Sequence, residues 1–303
     1  MQYGFSIKRK CYLLSVLLMT VWLTGCVQEE FESTPSPAGN GIRFTLTVPD
    51  VNLPSVSSRT MTGTGTAKKE DEIETVDILV FDMSKTPAVF LEWASATEVT
   101  QDLADNSTVS FSAVLSPTTA STCIVVVANK ELDGIVSGFT KGVTTKVRAM
   151  EEMLHTQTGK WLADGSTTGG YTRIPMYGEK VISKITPSMN PITDINMKRM
   201  LARIDIRNNS VTSNFTVEEV YLANYNTTGF IAPAWNTNGQ VTEPAPDTPV
   251  LPTGSGKMTE EGNAILYSVN GNTPYDGEIY TFESLAAGDA GGAGQDGEAS
   301  RKD

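Results

Sequence analysis

Residues 42–48, Ile-Arg-Phe-Thr-Leu-Thr-Val, alternate apolar and polar side chains without a fault. Strand side chains point to opposite faces with a period of two, so Ile42, Phe44, Leu46 and Val48 share one face and Arg43, Thr45 and Thr47 the other. Such a segment fits a sheet with one buried face, because a helix would scatter the same four residues around its axis. The run 123–128, Cys-Ile-Val-Val-Val-Ala, is apolar throughout and predicts a central strand covered on both faces. Further strand-like runs lie at 76–82, 88–93, 108–115 and about 180–185, then at 215–225, 229–235, 264–269 and 278–283. One helix is expected, over 144–155, where Val147, Met150, Met153 and Leu154 stand near helical spacing.

The run 192–207 is long for a strand, and its apolar phase changes part-way. Ile195 and Met197 occupy odd positions; Met200, Ala202, Ile204 and Ile206 occupy even ones. A period of two cannot flip without a bulge or a change of sheet. The expected domain boundary falls here, with domains at 41–198 and 199–287. A length of 303 residues also suits two domains at roughly 100–200 residues each. The second holds only about four strand candidates, few for a sandwich, and reads as incomplete. Residues 288–303 are Gly- and Asp-rich and cannot bury a core.

The N-terminus constrains the compartment. Lys8, Arg9 and Lys10 precede an apolar stretch of 13 residues, 11–23. That is too short to cross a hydrocarbon core of about 30 Å, so residues 1–25 read as a signal peptide. The stretch closes on Leu23-Thr24-Gly25-Cys26, which resembles the lipobox of bacterial lipoproteins. In that class the chain is cut before the cysteine and the thiol is acylated, here Cys26; several acyl chains (palmitate among them) make a stable anchor. Residues 26–40 then form a tether. Its acidic start, Val27-Gln-Glu-Glu-Phe-Glu32, resembles the surface-export signal of Bacteroidetes lipoproteins, although a solvated acidic tether has the same composition. Of three cysteines, Cys11 leaves with the signal and Cys26 takes lipid. Cys123 alone remains, so no intramolecular disulfide can form in the mature chain.

Charge and motif content argue against other functions. Removing residues 1–25 removes three cations and no acid, leaving 20 Lys and Arg against 35 Asp and Glu, a net of −15. Phosphate backbones repel such a body, so no nucleic-acid partner is expected. One histidine, His155, leaves little material for His-based catalysis or metal binding, and it reads as a solvated residue late in a short helix. Gly254-Ser-Gly-Lys-Met258 lacks the leading Gly and closing Ser/Thr of a phosphate loop. The Gly292, Gly294 and Gly297 spacing has no strand or helix around it. Asp102, Asp105 and Asn106 lack the alternation of a calcium loop. No catalytic, cofactor or metal residue is nominated, and no enzyme is expected.

Taken with the lipobox and the strand 42–48, four short segments carry a resemblance. They are Ser58-Arg59-Thr60 ahead of Ile73-Glu-Thr-Val-Asp-Ile-Leu-Val-Phe-Asp82, Ile174-Pro-Met-Tyr-Gly-Glu179, and Met200-Leu-Ala-Arg-Ile-Asp205. In that order and spacing the chain resembles the fimbrillins of the Bacteroidales type V pilin superfamily, which holds major and minor fimbrium subunits and lipidated anchor proteins. The resemblance implies a mainly-β fold of two transthyretin-like, Greek-key β-sandwich domains, with the short helix in the first. It implies a structural subunit or anchor of a cell-surface fimbrium, serving adhesion and held at the outer membrane through lipid. In polymerising members an Arg-specific surface protease cuts after the first strand, and a strand from another fimbrial subunit refills the groove. The matching positions are Arg59 and Thr60 for the cut, and Ile42, Phe44, Leu46 and Val48 for the displaceable strand. Arg59 as a plain solvated loop residue is the competing expectation. Two other classes stay open: a surface glycan-binding lipoprotein with Trp93, Trp161 or Trp235 as sugar platforms, and, last, a carboxylate hydrolase.

Overall fold

A computed structural model describes residues 42–48, 71–101, 108–157, 159–161, 173–207, 219–242, 250–253, 257–258, 265–268 and 276–284. All belong to one compact unit, Gly41–Asp303. Cys26, Arg59, Thr60, and the Asp102, Asp105 and Asn106 group lie outside the described residues.

The chain is mainly β. Its first part forms two sheets. One has the order β4 (Thr97–Gln101), β5 (Thr108–Ala113), β1 (Ile42–Thr47), β9 (Ile192–Asn196). The other has the order β10 (Lys198–Arg199), β8 (Met176–Ile182), β6 (Thr122–Ala128), β2 (Val76–Asp82), β3 (Val89–Ser95). Their facing side chains make one core: Phe44 and Leu46 from the first sheet meet Ile78, Val80, Ile124 and Val126 from the second. This is a β-sandwich, and the alternation within 42–48 follows from it directly.

The second sheet is buried on its outer face too. Leu79, Phe81, Cys123, Val125 and Val127 pack there against Ala149 and Met150 of a helix and Met153 just past its end, and against Ile231, Ala232 and Phe282 from the C-terminal part. Two covered faces explain why β6 can be apolar at every position. Two helices are described rather than the single one expected: α1 (Asp133–Val136), a single turn, and α2 (Lys146–Glu152). Thr145 caps α2, its Oγ1 accepting from the Arg148 amide at 3.2 Å. The helix stops before His155, which instead sits in β7 (Leu154–Thr156), paired with β14 (Thr228–Phe230). A strand replaces the helix end because Leu154 and Thr156 are held by Phe230 and Thr228 across the ladder.

The phase change in 192–207 has a structural cause. β9 pairs with β1, β10 with β8, and β11 (Ala202–Arg207) with β17 (Asp276–Thr281). Within sixteen residues the chain hydrogen-bonds in three sheets, and the buried row Ile192, Ile195, Met197 and Met200 gives way to Ala202 and Ile204, which are exposed rather than turned inward. Beyond it come β12 (Glu219–Leu222) paired with β16 (Ile265–Ser268), and β13 (Tyr225–Asn226) with β15 (Lys257–Met258). Each of these described C-terminal ladders is two-stranded. The sequence reading missed β4, Thr-Glu-Val-Thr-Gln, because its polar composition carries no burial signal.

Candidate functional site

The sequence nominates the first strand, and its seat can be built residue by residue. β1 is internal to its sheet, antiparallel to β5 on one side and parallel to β9 on the other. In register with β5, Ile42 faces Ala113, Phe44 faces Phe111 and Leu46 faces Val109. Phe44 and Phe111 stack with centroids 4.9 Å apart and planes 6° from parallel. The parallel ladder slips between Phe44 and Leu46, and the Met197 amide donates to the Thr47 carbonyl at 2.9 Å where the chain leaves for the other sheet. Ile42, Phe44, Leu46 and Val48 are all buried. The four candidates therefore share one inward face, as the alternation predicts.

Magnitudes decide what this strand can do. Fully burying an apolar side chain contributes about 1.5–3 kcal/mol, so four contribute roughly 6–12 kcal/mol as an upper bound. Net stability of a domain is about 5–15 kcal/mol. A sheet that lost β1 would expose an apolar trough between β5 and β9 with unpaired backbone on both sides. It would be a strong template for a replacement strand and an unstable thing to leave empty.

The remaining surface offers less chemistry. A cavity of about 610 Å³ is lined among others by Glu74, Asn129, Lys130, Glu131, His155 and Arg173. Two of its polar groups are engaged: Arg173 pairs with Glu74 and with the neighbouring Glu72, and Asn129 donates to the Glu72 and Ile174 carbonyls. Burial, with Lys130 nearby, pushes the His155 imidazole below its ordinary range. Among the described residues no group of acids, histidines or cysteines could hold a metal ion. The tryptophans considered as sugar platforms differ in exposure. Trp161 is buried edge-on to Phe282, and Trp93 and Trp235 are half-buried against the second core. Cys123 is buried, and desolvation pushes its thiol up to about 12.

Sequence reasoning missed one charged cluster. Lys146, the first residue of α2, has a side chain 2% exposed, and its Nζ lies 2.6 Å from Oε2 of Glu179 on β8. The Tyr177 hydroxyl donates to the same oxygen at 2.5 Å. Nothing in the sequence signals this, because a Lys opening a helix and a Glu in a strand both read as solvated.

The comparisons bear on the whole arrangement. The family model of the major fimbrial subunit protein (FimA) matches residues 42–199, which is 158 of 303 residues. The chain belongs to the FimA major fimbrial subunit family. The match starts at the first residue of β1 and ends at the last of β10, spanning both sheets of the sandwich. It is thus a fimbrial protein of the cell surface. No curated protein sequence matches the chain. Three solved structures are similar. A fimbrial assembly protein from Parabacteroides distasonis shares 13% identity over 79% of this chain and 85% of that one, with a TM-score of 0.38. A candidate cell adhesion protein from the same species shares 17% over 83% and 73%, at 0.45. A candidate adhesin from Bacteroides thetaiotaomicron shares 11% over 81% and 72%, at 0.34. At these values the likenesses carry no functional weight.

Proposed function

We propose that the protein is a structural subunit or anchor of a fimbrium, exported as a lipoprotein acylated at Cys26 and assembled by exchange of its first strand. The observation that supports this best is the seat of β1. The first described strand lies inside the sheet, carries its inward apolar row buried together with Val48, and would leave a two-sided groove if withdrawn. A cut after Arg59 detaches that strand together with the lipid anchor, leaving the body held only by its neighbours. An uncut chain keeps the strand and stays at the membrane, as an anchor must. The same reading divides the chain into sandwich domains at 41–198 and 199–287. In its favour, sheet pairing changes between Arg199 and Ala202.

An Arg-specific protease added to the purified protein tests the proposal. For a polymerising subunit the expected result is loss of residues 26–59 followed by oligomers resistant to SDS. For an anchor, Arg59 resists cleavage and the protein remains monomeric, yet it is recovered from sheared cell-surface fibres. Cleavage that simply unfolds the protein, or absence of the chain from isolated fibres, would refute the assignment.

A further inference from the structure

The Lys146–Glu179–Tyr177 cluster plays no part in strand exchange, and its position is costly for an ion pair. All three side chains stand on the outer face of the second sheet, beneath α2. Tyr177 is buried, and the Lys146 stem is covered by the turn at Gly239, where an added Cβ would come within 3.2 Å of Lys146 Cβ. Taking an ammonium and a carboxylate out of water costs several kcal/mol per ion, and their attraction often fails to recover it. Glu179 keeps one exposed edge, its side chain 22% accessible, on a cavity of about 290 Å³ lined also by Asp194, Asn196 and Lys198.

We propose that Lys146 and Glu179 condense into an intramolecular isopeptide bond, with Tyr177 as the proton relay. The step balances without a co-reactant. Nζ first passes one proton to Oε2 across their 2.6 Å contact, leaving a free amine and a neutral carboxyl; the amine then attacks Cδ of Glu179, the Nζ–Cδ bond forms, and the Cδ–Oε2 bond breaks. Two protons leave Nζ and depart with Oε2 as one water; nothing is oxidised or reduced. Tyr177 gives its phenolic proton to Oε2, which it already contacts, and takes one back from the amine. Desolvation and the adjacent Glu179 charge hold that phenol well above its ordinary range, so it remains a donor. The terminal torsion of a glutamate is broad, so the carboxyl can turn its face to the amine without leaving its site. Holding the reactants in contact replaces a bimolecular encounter with an intramolecular one. The product is a neutral amide in place of one buried and one partly buried charge, and the water has an exit through the exposed edge of Glu179. The bond would close the loop between positions 146 and 179 and tie α2 to β8, in a chain whose mature form has no disulfide available. It is independent of whether β1 is exchanged.

Mass spectrometry of the purified, folded chain tests this directly. A digest should contain one branched peptide joining the segments of Lys146 and Glu179, lighter by the mass of one water than the two linear peptides together. Because the readout is on those peptides, acylation at Cys26 does not affect it. Lys146→Arg and Glu179→Ala should each return linear peptides. Tyr177→Phe should slow cross-link formation by about a hundredfold or more, the usual worth of positioned proton transfer. Linear peptides at both positions in the wild-type protein, after folding and prolonged incubation, would overturn the proposal whatever the variants do. A water deficit that persists in Lys146→Arg would overturn it equally.

Discussion

Truncating Phe44 to alanine probes the seat of the first strand. Its side chain is 1% exposed and stacks face to face on Phe111 at 4.9 Å. Phe→Ala in a packed core costs about 3–5 kcal/mol, from lost burial and from the cavity left behind. Phe44→Ala should therefore lower unfolding free energy by about that amount in urea melts followed by circular dichroism, with the slope of the transition unchanged. Phe111→Ala should cost a similar amount. The double variant should cost less than the sum of the two, since the ring–ring contact of about 0.5–1.5 kcal/mol can be lost only once. A loss below about 1 kcal/mol for Phe44→Ala, or strict additivity, would refute the placement of β1 against β5. If an exchanged strand later occupies the groove, the cleaved and assembled form should be indifferent to Phe44→Ala and still sensitive to Phe111→Ala. That difference separates the removable wall of the site from its permanent one.

Gly178→Ala should destabilise the fold by about 1–3 kcal/mol in the same melts: a Cβ there would stand 2.7 Å from Met197 Sδ, 2.8 Å from Ile195 Cγ2 and 3.1 Å from the Asn196 carbonyl, and backbone cannot yield as a side-chain tip can. Cys123 should resist thiol reagents in the native protein, and rapid labelling without denaturant would contradict the buried β6. Its folded thiol titrates at about 12 against 9.0 when unfolded, so its contribution is complete below pH 9 and is lost as pH rises toward 12, at up to about 1.4 kcal/mol per pH unit. Cys123→Ala should flatten the alkaline limb of stability against pH; an unchanged limb would show that the thiol does not contribute. Cys26→Ala should release the protein from the membrane fraction, and retention at high salt would exclude a lipid anchor.

What the sequence determined by itself is whatever depends on one residue and its near neighbours. Strand geometry sends alternate side chains to opposite faces whatever the partner. The alternation of 42–48 therefore announced β1 and its inward row, and the uninterrupted apolar run of 123–128 announced a strand covered twice. The phase flip between Met197 and Met200 called for a bulge or a change of sheet before any partner was known, and the chain changes sheet there. Only the tertiary structure decided which strands lie beside these. Strand pairing is a long-range choice with no local signature: β1 lies parallel to β9, some 150 positions away, and antiparallel to β5. Helix length failed for the same reason, because pairing of 154–156 with 228–230 outweighed the helical spacing that ran to His155. β4 was invisible because a polar segment on a sheet edge buries little. The Lys146–Glu179 contact joins positions 33 apart in the chain. A charged side chain normally stays in water, so only the closing of a helix over a sheet could have buried that pair.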